Sequence, residues 1–300
     1  MTSARELRRA ARSLLAAADV PSPQVDADLL MAHVLQVSRS TLALAGEVSP
    51  EQAEGYEALV RRRALREPLQ HLTGRAPFRG FDLEVGPGVF VPRPETELLA
   101  GWVIDLLESE ETRVVVDIGT GSGAMALAVA VEVPGTTVVA VEPDPEAIVW
   151  ARRNVERVSA SRGSRVALVT LVRASARDLA SGSANMPVAA GSASVVVSNP
   201  PYVPPQTAVA PEVRWDPEHA VFAGSGGCAV IADVITAALR LLDTGGWLAV
   251  EHDETTAAAV RALLPPGQWS DVATHADLAG RPRFTVARRR PGPVAGGAGS

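Results

Sequence analysis

The sequence has one cysteine, no lysine and no apolar segment long enough to cross a bilayer. Because a disulfide needs two thiols, Cys228 cannot form one within the chain, which suits a reducing compartment. Acidic or basic residues, among them Glu132, Asp233 and Arg240, interrupt the longest apolar stretches before the roughly 18 residues that a membrane helix needs. We therefore expect a cytoplasmic protein that does not associate with membranes.

A concentrated basic region is also missing. The net charge is −6 at pH 7, and residues 1–72 carry equal numbers of arginines and acids. Proteins whose main partner is naked nucleic acid need a basic surface for the phosphates, so no direct nucleic-acid contact is expected. The five histidines lack the spacing of metal ligands, and no metal is expected.

The N-terminal region is predicted to be helical. Ser22 and Ser49 each precede a proline and can act as N-caps, which predicts helices near 23–37 and 51–66 after a first amphipathic helix near 4–18. We predict that residues 1–72 form a small helical bundle that docks another protein.

The rest of the chain predicts an α/β fold. Apolar alternation at 81–85 and 89–91 indicates a hairpin linker over 73–92. Residues 93–290 then alternate short valine-rich strands with alanine-rich helices, which is typical of a Rossmann-like domain with helices on both faces of a seven-stranded sheet. The strands are predicted near 113–118, 137–142, 166–172, 193–198, 245–251, 269–275 and 283–288, the last two as an antiparallel hairpin. Residues 291–300 are expected to be a disordered tail.

A glycine-rich turn follows the first of these strands. Gly119, Gly121 and Gly123 allow a ligand to approach the backbone, and Glu142 ends the next strand about twenty residues later, where an acid can accept the hydroxyls of a ribose. Asp117 is placed to orient the turn or to approach the ligand. This pattern predicts a nucleotide site, but it does not exclude NAD.

A second motif, Asn-Pro-Pro-Tyr, follows the fourth strand at 199–202. The prolines stiffen the turn, so that the side chain of Asn199 and the carbonyl of Pro200 point in fixed directions. Both can accept a hydrogen bond from a planar NH2 group, whose nitrogen could then attack a methyl group on a sulfonium, with Tyr202 packing over the planar group. The segment 203–227 has no predicted element of its own and is expected to form a lid over the substrate.

These motifs together resemble the release factor glutamine methyltransferase family. The resemblance covers nearly the whole chain and rests on 71–74 (HLTG), 91–97 (VPRPETE), 117–123 (DIGTGSG), 199–202 (NPPY), 251–252 (EH) and 277–281 (DLAGR). It implies an S-adenosylmethionine-dependent methyltransferase domain, an N-terminal bundle that helps to dock the substrate, and a monomer. The implied reaction is N5-methylation of the glutamine in the Gly-Gly-Gln motif of class I peptide chain release factors.

The resemblance also implies roles for individual residues. The predicted cofactor-binding residues are Asp117, Gly119, Thr120, Gly121, Ser122, Gly123, Glu142, Ser175 and Asn199. Those predicted to bind substrate are Arg93, Asn199, Pro200, Pro201 and Tyr202, of which Asn199, Pro200 and Tyr202 are predicted to be catalytic. One departure stands out: where the family commonly has an acid near the adenine, this chain has Ser175, and whether Ser175 or Asp178 replaces that acid is open.

The motifs are compatible with three alternatives. An adenine-N6 nucleic-acid methyltransferase would use the same Asn199 turn, but it would be expected to carry a basic recognition region. An NAD-linked oxidoreductase would explain the glycine turn and Glu142 while leaving Asn199 without a role. A non-catalytic scaffold would have no need for Asn199, Tyr202 and Glu142 together.

Overall fold

The computed structural model describes residues 2–110, 113–204, 206–223 and 228–291. The chain divides into two compact units. One comprises Met1–Arg75, Val85–Pro87 and Val209–Asp216, and the other comprises Ala76–Glu84, Gly88–Ala208 and Pro217–Ser300. The predicted domain boundaries, by contrast, were contiguous in sequence, and they stay predictions. The predicted disordered tail lies outside the described residues apart from Pro291.

The first unit is mainly helical. Its elements are β1 (Thr2–Ser3), α1 (Ala4–Ala17), α2 (Pro23–Leu35), a 3-10 turn (Arg39–Leu44), β2 (Glu47–Val48), α3 (Pro50–Ala64), α4 (Leu69–Thr73) and a second 3-10 turn (Pro211–Trp215). β1 and β2 pair antiparallel. The three predicted helices are confirmed within two residues at each end. Their buried faces meet in one apolar core that includes Leu15, Leu30 and Met31, and the hydroxyl of Tyr56 in this core donates to the Ala27 carbonyl (3.1 Å).

The two predicted N-caps differ. Ser49 forms a reciprocal capping box, because its Oγ accepts from Gln52 N (3.2 Å) while Gln52 Oε1 accepts from Ser49 N (2.9 Å). Ser22 occupies the N-cap position of α2, but its side chain makes no capping hydrogen bond. The prediction of a side-chain cap was therefore wrong at Ser22. Its ψ of 60° departs from the extended conformation in which a capping side chain normally folds back.

The segment 209–216 is held in the first unit by ion pairs. Glu212 accepts from Arg63 Nη2 (2.8 Å) and from Arg66 Nε (2.7 Å) and Nη2 (2.8 Å). Arg63 also donates to Asp26 Oδ2 (2.7 Å). Burial raises the pKa of Glu212, but the hydrogen bonds from the two arginines outweigh it and lower the pKa to about 2. The segment 203–227 was predicted to lack elements, and this was wrong, because it contains the 3-10 turn as well as a short helix in the second unit.

The second unit contains the predicted seven-stranded sheet. Its strands are β5 (Val114–Ile118), β6 (Thr137–Val141), β7 (Val169–Val172), β8 (Ala193–Ser198), β9 (Leu242–Glu251), β10 (Trp269–Ala276) and β11 (Pro282–Arg289). They lie in the order β10-β11-β9-β8-β5-β6-β7. The strands from β5 to β9 run parallel, and β11 pairs antiparallel with β9 and β10. All seven predicted strands and the closing hairpin are confirmed.

The helices of this unit are α5 (Pro94–Leu107), which precedes β5, and α6 (Ala124–Glu132), α7 (Pro145–Arg162), α8 (Ala176–Ser181), α9 (Glu218–Val221), α10 (Ala229–Leu241) and α11 (Ala257–Ala262), which lie between strands of the sheet. Central strands such as β8 are buried along their whole length, which explains their continuous valine runs. None of the helices in the described part of the chain is long and apolar enough to cross a membrane.

The hairpin lies earlier in the chain than predicted. Its strands are β3 (Arg75–Phe78) and β4 (Phe81–Glu84), joined through Arg79 and Gly80. Residues 89–91, which were predicted as its second strand, form none. Pro87 and Pro92 flank this stretch and Gly88 has a φ of +89°, so the backbone cannot continue a ladder, although Val89 and Val91 are buried.

Candidate active site

The register of the parallel strands brings three loop starts to one edge of the sheet. Ile118 pairs with Val141 of β6 on one side and with Ser198 of β8 on the other. The glycine turn, Glu142 and Asn199 therefore leave the sheet side by side. They do so at β5, where the strand order reverses, with β6 on one side and β8 on the other. This edge carries a cavity of about 500 Å³. Of the predicted site residues, those lining it are Gly119, Thr120, Gly121, Ser122, Glu142, Ser175, Asn199, Pro200 and Pro201.

The glycine turn is held by hydrogen bonds to β6 and carries no side chain at Gly119 and Gly121. Gly119 N (2.8 Å) and Thr120 N (3.0 Å) both donate to the Val141 carbonyl. Gly119 and Gly121 have φ values of +75° and +57°, and a Cβ built on either meets no atom within 4 Å. A side chain at these positions would be strained and would fill the cavity. The turn thus presents peptide backbone to a ligand.

Asp117 supports this turn without lining the cavity. Its Oδ2 accepts from Thr120 Oγ1 (2.6 Å) and from Ala126 N (3.2 Å), which ties the turn to the start of α6. The side chain is completely buried, and burial raises its pKa to about 7. Its Oδ1 has no hydrogen-bond partner among the described residues. The structure therefore places Asp117 as a brace of the glycine turn.

Glu142 is held by two backbone amides. Its Oε2 accepts from Gly121 N (2.8 Å) and its Oε1 accepts from Asp144 N (3.0 Å). The residue is only 7% exposed, and burial raises its pKa while the two backbone N–H groups lower it. The carboxylate is thus fixed at the cavity wall, where lone pairs that the backbone does not use can accept further hydrogen bonds.

The position where the chain departs from the family pattern caps a helix. Ser175 Oγ accepts from Asp178 N (3.1 Å) and donates to Asp178 Oδ2 (2.6 Å). Asp178 Oδ2 also accepts from Ser175 N (2.9 Å). Ser175 lines the cavity, together with Ala176 and Arg177. Among the described cavity-lining residues Asp178 does not occur, because its carboxylate is turned toward the start of α8.

Asn199 is part of a buried polar network. Its Nδ2 donates to Thr96 Oγ1 (3.0 Å), and Thr96 Oγ1 donates to Glu251 Oε2 (2.9 Å). The other carboxylate oxygen, Oε1, accepts from the Tyr202 hydroxyl (3.0 Å). Glu251 is fully buried, and desolvation raises its pKa to about 7. Burial and Glu251 also raise the pKa of Tyr202.

Several predicted residues lie outside the cavity wall. Among the described residues that line it, Tyr202, Arg93 and Gly123 are not present. The Tyr202 ring packs against the core of the sheet, and Arg93 stacks on Phe90, which does line the cavity (Cζ 4.9 Å from the ring centroid). Gly123 is the N-cap of α6.

Sequence reasoning gave no role to three residues at this site. Thr96 and Glu251 occur in motifs of the resemblance; Thr96 lines the cavity, and Glu251 joins the site through its contacts with Thr96 and Tyr202. His219 lines the cavity and contacts Asp144. No sequence signal distinguishes it from the other four histidines.

Comparison with known proteins identifies the family. Residues 6–74 match the family described as "PrmC N-terminal domain", and residues 86–216 match "Methyltransferase small domain". The catalytic domain of hMettl16, solved in complex with MAT2A 3'UTR hairpin 6, is 16% identical with a TM-score of 0.52. The match covers 82% of this chain and 84% of that one, and at this identity it shows the fold alone.

Full-length relatives are more informative. A release factor glutamine methyltransferase of Mycolicibacterium smegmatis is 44% identical over 96% of this chain and 99% of its own length. A protein of the same name from Corynebacterium glutamicum is 40% identical over 95% and 98% of the two chains, and one from Streptomyces coelicolor is 44% identical over 92% and 94%. The chain therefore belongs to the release factor glutamine methyltransferase family.

Proposed function

We propose that this chain transfers a methyl group from S-adenosylmethionine to the side-chain amide nitrogen of a glutamine, that of the Gly-Gly-Gln motif in class I peptide chain release factors. One observation carries the proposal: Asn199 and Pro200 line the same cavity as the glycine turn and Glu142. A pair of acceptors for an NH2 group thus stands beside a nucleotide-type site.

The cavity fits the cofactor. Its volume of about 500 Å³ lies within the range of small-molecule sites. The bare backbone of Gly119 and Gly121 and the fixed carboxylate of Glu142 match the polar groups of a nucleoside. Ser175 and Arg177 line the same cavity and are proposed to flank the base. When bound, S-adenosylmethionine supplies an electrophilic methyl group on a sulfonium.

The chain's own residues must make an amide nitrogen reactive. An amide NH2 is a poor nucleophile because its lone pair is delocalised. Asn199 Oδ1 and the Pro200 carbonyl can each accept one N–H bond, which orients the nitrogen and raises its electron density. The nitrogen gains the methyl group and loses one proton. A methylated amide nitrogen that still holds both protons is strongly acidic, so no side chain with a specially shifted pKa is needed to accept the proton.

Three more predicted substrate residues have supporting positions. Pro201 lines the cavity and stiffens the turn that carries Asn199. Tyr202 is proposed to act from behind this turn, through its hydrogen bond to Glu251, rather than by covering the substrate. Arg93 is proposed to act at the cavity edge, where it stacks on Phe90.

The partner follows from the family and from charge. The N-terminal helical unit is proposed to help dock a release factor, and its balanced charge supports a protein partner over naked nucleic acid. The names of the full-length relatives likewise favour a protein amide over an adenine. A monomeric, cytoplasmic enzyme remains part of the proposal.

Methyl transfer from radiolabelled S-adenosylmethionine tests this function. The purified chain is incubated with a release factor, with the same factor carrying Gln→Ala in its Gly-Gly-Gln motif, or with DNA. Label is expected in the unaltered factor alone, and mass spectrometry should place it on the glutamine side chain. Label in DNA but never in the factor would refute the proposal and support the adenine-N6 alternative.

A further inference from the structure

The side-chain amide of Asn199 can face the cavity in two ways. Its oxygen accepts hydrogen bonds and its NH2 donates them, yet the two groups have nearly the same shape. Only the orientation with Oδ1 toward the cavity can bind a substrate NH2, because the opposite one would set two donors against each other. Something other than shape must therefore choose the orientation.

Thr96 makes that choice by its own hydrogen bonds. An ionised carboxylate can only accept, so the single hydrogen of the Thr96 hydroxyl goes to Glu251 Oε2 (2.9 Å). The hydroxyl then has only lone pairs to offer Asn199, and these can bind the NH2 but not the oxygen. This agrees with the observed contact from Asn199 Nδ2 to Thr96 Oγ1 (3.0 Å). The direction of both bonds follows from the charge of Glu251.

The position of Glu251 suits such a role. Ser198 of β8 pairs with Val250 of β9, so Asn199 and Glu251 leave neighbouring strands at the same level. Glu251 is fully buried, and burial raises its pKa to about 7, while the hydrogen bonds from Thr96 and Tyr202 and the positive charge of Arg283 favour its ionised form. Its second oxygen accepts from Tyr202, so one carboxylate holds hydroxyls on both sides of the Pro200–Pro201 turn. A buried charge with these partners orients its neighbours firmly.

We propose that Glu251 and Thr96 are positioning residues for methyl transfer: Glu251 fixes the direction of the Thr96 hydroxyl, and Thr96 fixes Asn199 with its oxygen toward the substrate nitrogen. This inference rests on the proposed function. Neither residue is proposed to contact the reacting atoms. Their effect is transmitted to the substrate by the amide of Asn199.

Variants of Thr96 test the proposal. Thr96→Val keeps the shape of the side chain and removes the hydroxyl, whereas Thr96→Ser keeps the hydroxyl. With release factor as substrate, Thr96→Val is expected to lower kcat by about tenfold to a hundredfold, while the Kd for S-adenosylmethionine in calorimetry changes by less than about twofold. Thr96→Ser should restore kcat to within about threefold of the wild type.

Thr136→Val is a matched control. Thr136 is also a buried threonine of the second unit, but its Oγ1 has no hydrogen-bond partner among the described residues. This variant should leave kcat unchanged. If Thr96→Val keeps wild-type kcat, or if Thr96→Ser is as impaired as Thr96→Val, the proposal is overturned. Wild-type protein that methylates no release factor would instead overturn the proposed function.

A double-mutant cycle separates positioning from general damage. Glu251→Gln replaces the carboxylate by an amide that both donates and accepts, so it no longer dictates the Thr96 hydroxyl. It should lower kcat with little change in the Kd for S-adenosylmethionine. Combined with Thr96→Val, it should cost no more than the larger single effect, because both act through one route. If the losses in kcat of the two single variants multiply in the double variant, the proposal is overturned. If Thr96→Val does not fold, Glu251→Gln alone is the test, and a wild-type kcat in that variant overturns the proposal.

Discussion

His219 Nε2 lies 2.5 Å from Asp144 Oδ2. His219 belongs to the short helix α9. Asp144 caps α7 two residues after Glu142, and its other oxygen accepts from Glu146 N (2.6 Å). Both residues line the cavity. The contact therefore joins the segment that follows the Asn199 turn to the loop that positions the Glu142 carboxylate.

Loss of this contact should weaken cofactor binding more than turnover. For His219→Gln we expect the Kd for S-adenosylmethionine to rise about twofold to fivefold, since a polar contact to a histidine that is 60% exposed contributes up to about 1 kcal/mol. Isothermal calorimetry measures this change. His33→Gln, in the N-terminal unit, is the control and should leave the Kd unchanged. An unaltered Kd in His219→Gln would show that the contact does not shape the site.

Glu142→Gln tests the carboxylate that the backbone holds. Both of its oxygens accept from backbone N–H groups, from Gly121 and from Asp144. A glutamine must turn its NH2 toward one of these donors and leave a buried donor unmatched, which costs about 1–3 kcal/mol. We expect cofactor affinity to fall about tenfold to a hundredfold, with a smaller change in kcat at saturation.

Equilibrium binding and saturation kinetics measure the two effects of Glu142→Gln separately. Glu156→Gln, on the exposed face of α7, is the matched control and should behave as wild type. A variant with normal affinity but low kcat would mean that Glu142 serves the reaction and not the cofactor.

Asn199→Ala should show the opposite pattern. It removes an acceptor directed at the nucleophile, and such losses commonly lower kcat by about a hundredfold to a thousandfold. Cofactor affinity should fall far less, because the glycine turn and Glu142 remain in place. Single-turnover methylation measures the rate, and Asn185→Ala, at an exposed asparagine, is the control. Methylation at the wild-type rate in Asn199→Ala would refute its role.

The sequence predicted what depends on local pattern. Valine runs such as 193–198 predicted buried strands, and the spacing of the glycine turn and Glu142 predicted a shared edge, because parallel strands end together. The Asn-Pro-Pro-Tyr motif predicted rigid acceptors for a chemical reason that holds in any fold. These inferences need only the period of the strands and the stereochemistry of proline.

What could not be predicted depends on packing between distant parts of the chain. Thr96 meets Asn199 across 103 positions and Glu251 across 155 positions, because α5 packs against β9. Tyr202 was predicted to cover the substrate, and the sequence did not predict that its hydroxyl donates to Glu251 on the neighbouring strand β9. Similarly, His219 reaches Asp144 only because the segment after the Asn199 turn folds back. No local pattern encodes these contacts.

Asp117 provides a pH-dependent test of the glycine turn. Its pKa is raised from 3.8 to about 7 by burial, with a smaller contribution from the charge of Glu142. Between about pH 4 and pH 7 the folded protein therefore keeps a proton that the unfolded chain has released, and stability falls as the pH rises through this window. Above pH 7 the full cost of the buried charge is present.

Asp117→Asn should remove this cost and keep the brace. The amide oxygen can replace Oδ2 in accepting from Thr120 and Ala126, and the NH2 then takes the position of Oδ1, which has no partner among the described residues. We expect the ligand-free variant to be more stable than wild type at pH 8 by an amount on the order of 3 kcal/mol, a gain that shrinks toward pH 4. Urea unfolding across this range measures the difference, and Asp105→Asn, at an exposed aspartate, should show none. A stability difference that does not vary with pH would mean that Asp117 ionises at its ordinary pKa.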